Sequence, residues 1–154
     1  MVGVCWYEAR AYCAWLSSQT DRVFSLPSEA QWEIAARGRD GRRYAWGNAF
    51  DPTRCNAFDA HVRRPTPIGV FPAGNTPEGV ADMNGNVWEW TSSAYQKFPY
   101  DALDGREDAA RDATGRVGRG GSWRNRSASV RSTYRNDFVP AFRNFVVGFR
   151  LVRL

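Results

Sequence analysis

The stretch Asp82-Met-Asn-Gly-Asn-Val-Trp-Glu-Trp-Thr91 decides how this 154-residue chain is read. Before it, from Gly41 to Asn86, Gly, Pro, Asn and Asp recur every few residues and apolar runs shorten to three or four. That texture predicts irregular loops rather than long regular elements. At 86–91 the chain turns to strand-forming residues, and a short strand is expected there. Trp88 and Trp90 can each remove roughly 150–250 Å² from water, the kind of anchor a loop-rich chain needs. Trp46 and Trp123 are expected in the same core role.

Outward from this segment, Arg119-Gly-Gly-Ser-Trp123 and Val147-Gly-Phe-Arg150 place glycines beside aromatic rings, where close backbone approach or positive φ is needed. Further strands are expected at 116–123 and 146–152, the latter with Val147, Phe149 and Leu151 alternating. Two helices of about ten residues each precede the loops. Residues 6–18 put Ala9, Tyr12, Cys13 and Leu16 on one face, and Glu8 suits the positive end of the helix dipole. Ser28-Glu-Ala-Gln31 is a capping box that opens a helix through Trp32, Ala35 and Ala36, with Gly38 as its stop. Residues 100–118 are polar and read as an exposed excursion. Helices first, then loops and strands, predict an α+β fold in one domain spanning 1–154.

Composition narrows the functions. The hydrophobic fraction is 43% and the aromatic fraction 14%, which suits a packed globule and argues against disorder. No apolar run approaches ~18 residues and no secretory start is visible, so membrane insertion is not expected and the cytoplasm is the default location. Three cysteines (Cys5, Cys13, Cys55) without paired spacing predict neither a disulfide framework nor a zinc site. His61, the single histidine, sits in a polar run and reads as an ordinary loop residue. Net charge is +5, and residues 119–154 hold eight arginines against one acid, Asp137. Those arginines are scattered rather than blocked, so nucleic acid is not the expected partner. Several are expected to tie loops to carboxylates and backbone carbonyls.

Five segments in order carry a family resemblance: Val4-Cys-Trp-Tyr-Glu-Ala9 with Tyr12-Cys-Ala-Trp-Leu16; Leu26-Pro-Ser-Glu-Ala-Gln-Trp-Glu-Ile-Ala-Ala-Arg-Gly38; Tyr44-Ala-Trp-Gly-Asn48; Asp82 to Thr91; and Arg119-Gly-Gly-Ser-Trp123 with Val147-Gly-Phe-Arg150. The chain resembles the sulfatase-modifying-factor (formylglycine-generating enzyme) domain, a variant of the C-type lectin fold. The resemblance implies two short helices, a small antiparallel sheet and many irregular loops. Domains of that family usually carry a further stretch before the first motif, so a fragment or a minimal version is expected.

The formylglycine-generating enzymes use a cysteine pair shortly after their Gly-Gly-Ser-aromatic motif. Here the run from Ser122 to Arg135 has no cysteine, and no other residue type in it supplies a soft thiolate ligand and redox partner. The iron-dependent sulfoxide synthases of the same family need a histidine cluster, which one histidine cannot make. The resemblance therefore implies a domain that is not an enzyme and requires no cofactor. It also implies one candidate ion: calcium, through Asp82, Gly85, Val87 and Glu89, whose hard oxygens suit it. The alternative is that Asp82 serves a turn and Glu89 bonds backbone amides.

Many family members carry an asparagine-rich run after the motif tryptophan. This chain keeps that frame without a gap at Arg131, Ser132, Arg135, Pro140, Arg143, Gly148, Phe149 and Arg150, and keeps Asn125, Asn136 and Asn144. Between them stand Arg124, Arg126, Ala128, Ser129, Tyr134, Asp137, Phe138, Val139, Phe142, Phe145 and Val146. The pattern resembles the variable proteins of diversity-generating retroelements, which rewrite adenines in a C-terminal repeat of this domain. An AAC asparagine codon changed at its adenines gives Tyr, Phe, Val, Asp, Ser, Ala or Arg, the set that most of these positions hold. Ser127, where the frame has proline, is outside that explanation. The five apolar residues at 138, 139, 142, 145 and 146 follow no period of 2 or 3.6. They are either core of the C-terminal lobe or a displayed patch of hot-spot composition, and the spacing favours display. The expectation is a variable region over 123–147 that binds a protein or other macromolecular ligand. An accessory or degenerate formylglycine-type domain serving a partner enzyme, and an interaction module of a signalling protein, are the alternatives.

Overall fold

A computed structural model of the chain describes residues 1–111 and 115–154. Helix α1 spans Trp6–Ser18. The Glu8 carboxylate accepts the Cys5 N–H at 2.8 Å, satisfying one orphan donor of the first turn. Its inner face is Trp6, Ala9 and Cys13, all buried, while of the expected face Tyr12 is exposed and Leu16 only partly covered. Strand β1 (Phe24–Ser25) leads to α2 (Glu29–Arg37). The capping box forms as read: the Gln31 N–H donates to Ser28 Oγ at 3.1 Å, and Gln31 Oε1 accepts the Ser28 N–H at 2.8 Å. Gly38 ends the helix at φ +62°, a conformation that glycine enters without a Cβ clash.

Strand β2 (Trp88–Ala94) is the centre of the molecule. Strands β3 (Arg116–Arg119) and β4 (Arg135–Phe138) extend the sheet on one side, and β5 (Val147–Phe149) lies on the other, giving the order β4-β3-β2-β5. The expected antiparallel sheet is antiparallel from β2 through β4 but takes β5 as a parallel neighbour, with Trp88 opposite Val147 and Trp90 opposite Phe149. A parallel pair needs a long connection between its strands, and the loops after β2 supply it. A two-stranded sheet of β1 with β6 (Val152–Arg153) ties the end of the chain to the start of α2.

The strand expected at 86–91 starts two residues later and runs to Ala94; that at 116–123 stops at Arg119 because Gly120 and Gly121 both take positive φ. The one expected at 146–152 is broken into β5 and β6. Of the expected excursion at 100–118, residues 101–111 are exposed apart from Arg106 and a few half-covered neighbours, whereas 115–118 are buried in and beside β3. Residues 112–114 lie outside the described part. No helix among the described residues is long and apolar enough to cross a membrane.

The main core joins Trp6, Ala9, Cys13 and Leu26 to Trp88, Trp90 and Val147. Both deep indoles satisfy their N–H: Trp6 donates to the Thr91 carbonyl at 2.8 Å, and Trp90 to the Val4 carbonyl at 3.0 Å. Of the four tryptophans expected in the core, Trp88 and Trp90 are buried, but Trp46 and Trp123 are only half-buried. Trp6 and Trp32 are buried completely instead. Arg119 is buried too, and donates to Glu29 at 3.2 Å, to Glu33 at 2.5 Å and to the Ser132 carbonyl at 2.7 Å. Burial lowers its pKa and the two glutamates oppose that shift, so α2 and the C-terminal loops are joined by a compensated charge.

Candidate ligand-binding surface

The C-terminal loops are fastened from below by residues 84–86, just before β2. Asn84, buried, accepts the Ala45 N–H at 2.7 Å and donates to the Val130 carbonyl at 2.7 Å. The Asn86 carbonyl accepts the Trp123 N–H at 3.0 Å, and the Gly120 carbonyl accepts the Gly85 N–H at 2.8 Å. Gly120 and Gly121 take φ of +90° and +72°, and a Cβ on Gly121 would stand 2.6 Å from the Ser129 carbonyl oxygen. The scattered arginines finish the lacing, as expected. Arg135 and Arg150 pair with Glu29 and Glu89, Arg143 with Glu8 at 2.8 Å, and Arg131 donates to the Ala128 carbonyl at 2.8 Å.

On this support the fourteen expected ligand-binding residues divide. Arg124, Arg126, Ala128, Tyr134, Asp137, Val139 and Phe145 are exposed; Val139 shows 59% of its surface and Phe145 50%. The other seven are partly covered. Asn125 points inward, its Oδ1 accepting the Ser122 N–H at 2.9 Å and the Ser122 hydroxyl at 2.7 Å. Asn144 caps its own turn by accepting the Val146 N–H at 3.1 Å, and within β4 Asn136 Oδ1 accepts the Asp137 N–H at 3.1 Å. Such local bonds are what asparagine does in turns. Asn125 and Asn144 therefore shape the loops.

The apolar residues also split, against the reading of all five as displayed. Phe138 is edge-on to Trp88 and Trp90, with ring centres 5.7 and 5.6 Å away, and Phe142 stacks on it at 5.2 Å. Both pack on the main core, as does Val146. The physical reason is Gly118: a Cβ there would come 2.5 Å from the Phe138 ring, so its absence opens the slot that the ring fills. Above this layer Tyr134 lies 5.9 Å from Trp88, and Phe145 lies 6.1 Å from Trp123 with the Arg124 guanidinium over both rings. The exposed face is therefore a rigidly backed set of Tyr, Phe, Val and Arg.

The residues expected to hold calcium meet other partners. The Glu89 carboxylate accepts from Arg150 at 2.5 and 2.8 Å and from the Trp32 indole at 2.7 Å. Asp82, at φ +55°, accepts the Gly69 N–H at 2.8 Å. Among the described residues no three His, Cys, Asp or Glu side chains gather. The arrangement does not fit a cation, because Arg150 already supplies the positive charge that Glu89 requires. His61 is an exposed loop residue, as read, in left-handed backbone. Sequence reasoning did not single out Phe58 and Arg63, which lie far along the chain from 123–147 and only the fold brings near it. The Phe58 N–H donates to the Asn125 carbonyl at 2.9 Å.

Comparison with known proteins places this geometry. Residues 1–154 match the family described as "Sulfatase-modifying factor enzyme 1-like domain". The chain is 39% identical over 166 aligned positions to the inactive C-alpha-formylglycine-generating enzyme 2 of Bos taurus, covering 97% of this chain and 48% of that one. It is 35% identical over 164 positions to the hercynine oxygenase of Mycolicibacterium thermoresistibile, covering 96% of this chain and 34% of that one. The chain thus spans about a third to a half of the length of these curated relatives. Among solved structures, Treponema denticola variable protein 1 superposes with a TM-score of 0.86 at 22% identity, over 98% of this chain and 69% of that one. That likeness is one of fold.

Proposed function

The chain belongs to the sulfatase-modifying factor enzyme 1-like domain family, and from that premise we propose that it is a non-catalytic ligand-binding domain of C-type lectin fold whose C-terminal loops form a diversified surface. The observation that carries this reading is the exposure of Tyr134, Val139 and Phe145 on loops fastened to buried Asn84, Trp88 and Trp90. Large apolar groups held rigidly in water lose little conformational freedom on binding, which is the composition of an interface hot spot. The ligand class is a protein or other macromolecule, since the face mixes aromatic, aliphatic and cationic groups and is not a closed pocket. Similarity to an inactive relative and the lack of a cysteine pair after Ser122 support the non-catalytic half of the proposal. The relatives also include an oxygenase, of which this chain spans only a third.

The variable-protein half is supported by the residue set at the substituted positions and by the shared fold. Sequencing of the flanking genomic DNA tests it. The expected result is a near-identical copy of the codons for residues 123–150, differing at adenines, beside a reverse transcriptase gene. Finding neither overturns the retroelement reading.

A further inference from the structure

The backbone bond from Phe58 to Asn125 draws the 57–64 loop alongside the start of the variable stretch. Guanidinium groups gather on that seam. Arg63 and Arg126 sit 4.1 and 5.1 Å from the centre of the Phe58 ring, and Arg124 sits 5.7 Å from Trp123 and 5.8 Å from Phe145. Arg64, exposed, follows directly in the chain. Arg119, Arg135, Arg143 and Arg150 each pair with a carboxylate. Among the described residues neither Arg124 nor Arg126 has a side-chain hydrogen bond or an ion pair, and Arg63 reaches only His61 Nδ1 at 3.2 Å. Asp59 is the one acid in the two loops. The buried indole N–H of Trp123, under Arg124, also lacks an acceptor. The guanidinium groups of Arg63, Arg124 and Arg126 offer donors and positive charge, which a partner bringing acceptors and negative charge complements.

We infer that the seam of Phe58, Arg63, Arg124 and Arg126 is an anion site that receives the carboxylates of an acidic segment on a protein partner. The inference rests on the reading of the adjoining face as a binding surface, and it extends that face to residues outside the variable stretch. Carboxylates fit the forked guanidinium with two parallel bonds. A protein is favoured over a nucleic acid by what surrounds the seam. Beyond Arg124 the surface continues into Phe145, an apolar neighbour, and does not continue as the basic track that follows a phosphate backbone. The Phe58 ring, which would otherwise stack a base, is already covered by guanidinium groups. Within a binding face this seam acts as a charged rim, steering an acidic partner and setting its orientation over the aromatic patch.

Titration of the ¹⁵N-labelled chain, followed by amide shifts, tests the assignment with four probes. They are a hexapeptide alternating glutamate and leucine, its lysine–leucine counterpart, a single-stranded DNA dodecamer and inorganic phosphate. The expected result is that the acidic peptide shifts the amides of residues 58–64 and 124–126 and binds at least about tenfold more tightly than the lysine peptide. Raising the salt weakens that binding. The double substitution R63E/R126E, confined to exposed side chains, removes the shifts while the rest of the spectrum is kept. Equal binding of the two peptides overturns the inference. So does binding of the DNA or of phosphate at the same amides as tightly as the acidic peptide. These outcomes are separate from the genomic test: a missing template repeat leaves the peptide shifts standing, and absent peptide shifts leave a template repeat standing.

Discussion

Phe138 stands edge-on to Trp90 with 5.6 Å between ring centres and 75° between ring planes. A residue of the variable stretch is thereby part of the core, seven positions before one that is not. Phe138→Ala removes contacts to Trp88, Trp90 and Phe142 and leaves a cavity over Gly118. The expected loss is about 2 kcal/mol, below the usual cost of a fully buried phenylalanine because Phe138 is half-covered. Phe145→Ala, at 50% exposure, should cost less than about 1 kcal/mol. Denaturant unfolding of the two variants measures the difference, and equal losses would contradict a core Phe138 beneath an exposed Phe145.

Glu29 accepts from both Arg119 and Arg135 inside the protein. Glu29→Gln removes the anion and leaves two guanidiniums facing each other, with Glu33 as the remaining counter-charge to Arg119. A loss of about 3 kcal/mol is expected, since the uncompensated buried charge dominates. Urea unfolding at neutral pH is the check. A loss under about 1 kcal/mol would mean that the pair is neutral in sum.

The Glu8 carboxyl has its pKa lowered from 4.5 to about 2, first by its hydrogen bonds with Arg143 and then by the Cys5 N–H. A depressed carboxyl stabilises the folded state above its unfolded pKa, and that contribution disappears as pH falls toward the folded value. The stability gap between the wild type and Glu8→Gln should therefore be full at pH 6 and shrink between about 4.5 and 2. Thermal unfolding across that range reads it. A gap that grows as pH falls would reverse the sign.

Calcium should bind weakly or not at all at Asp82 and Glu89, because Arg150 holds the Glu89 carboxylate. Saturating calcium is expected to move the melting temperature by less than about 1 °C relative to magnesium-free, chelator-treated protein. A rise of several degrees that Asp82→Asn abolishes would show that a cation displaces Arg150.

Much of the architecture was readable locally. The Ser28–Gln31 capping box, the Gly38 stop and the bounds of α1 rest on neighbours three or four residues apart, so the sequence carries them directly. Strand β4 was not readable: Arg135-Asn-Asp-Phe138 has no alternation of apolar residues, and it is a strand only because β3 lies beside it. Nor was the parallel placement of β5 on β2, which depends on chain passing far from both.

The candidate surface shows the same boundary. From the sequence alone came the family resemblance that implied the C-type lectin fold, the lack of a cysteine pair after Ser122 and the unusual residue set at 124–146, all of which rest on residue identity and order. Tertiary structure alone decided that Phe138 and Phe142 fill the core while Val139 and Phe145 face water, and that Asn125 and Asn144 bend loops. It alone brought Phe58 and Arg63 to Arg126. The reason is physical: an irregular loop has no repeat to tell which side faces in, so burial is set by the position of Trp88, Trp90 and Gly118 in the sheet beneath.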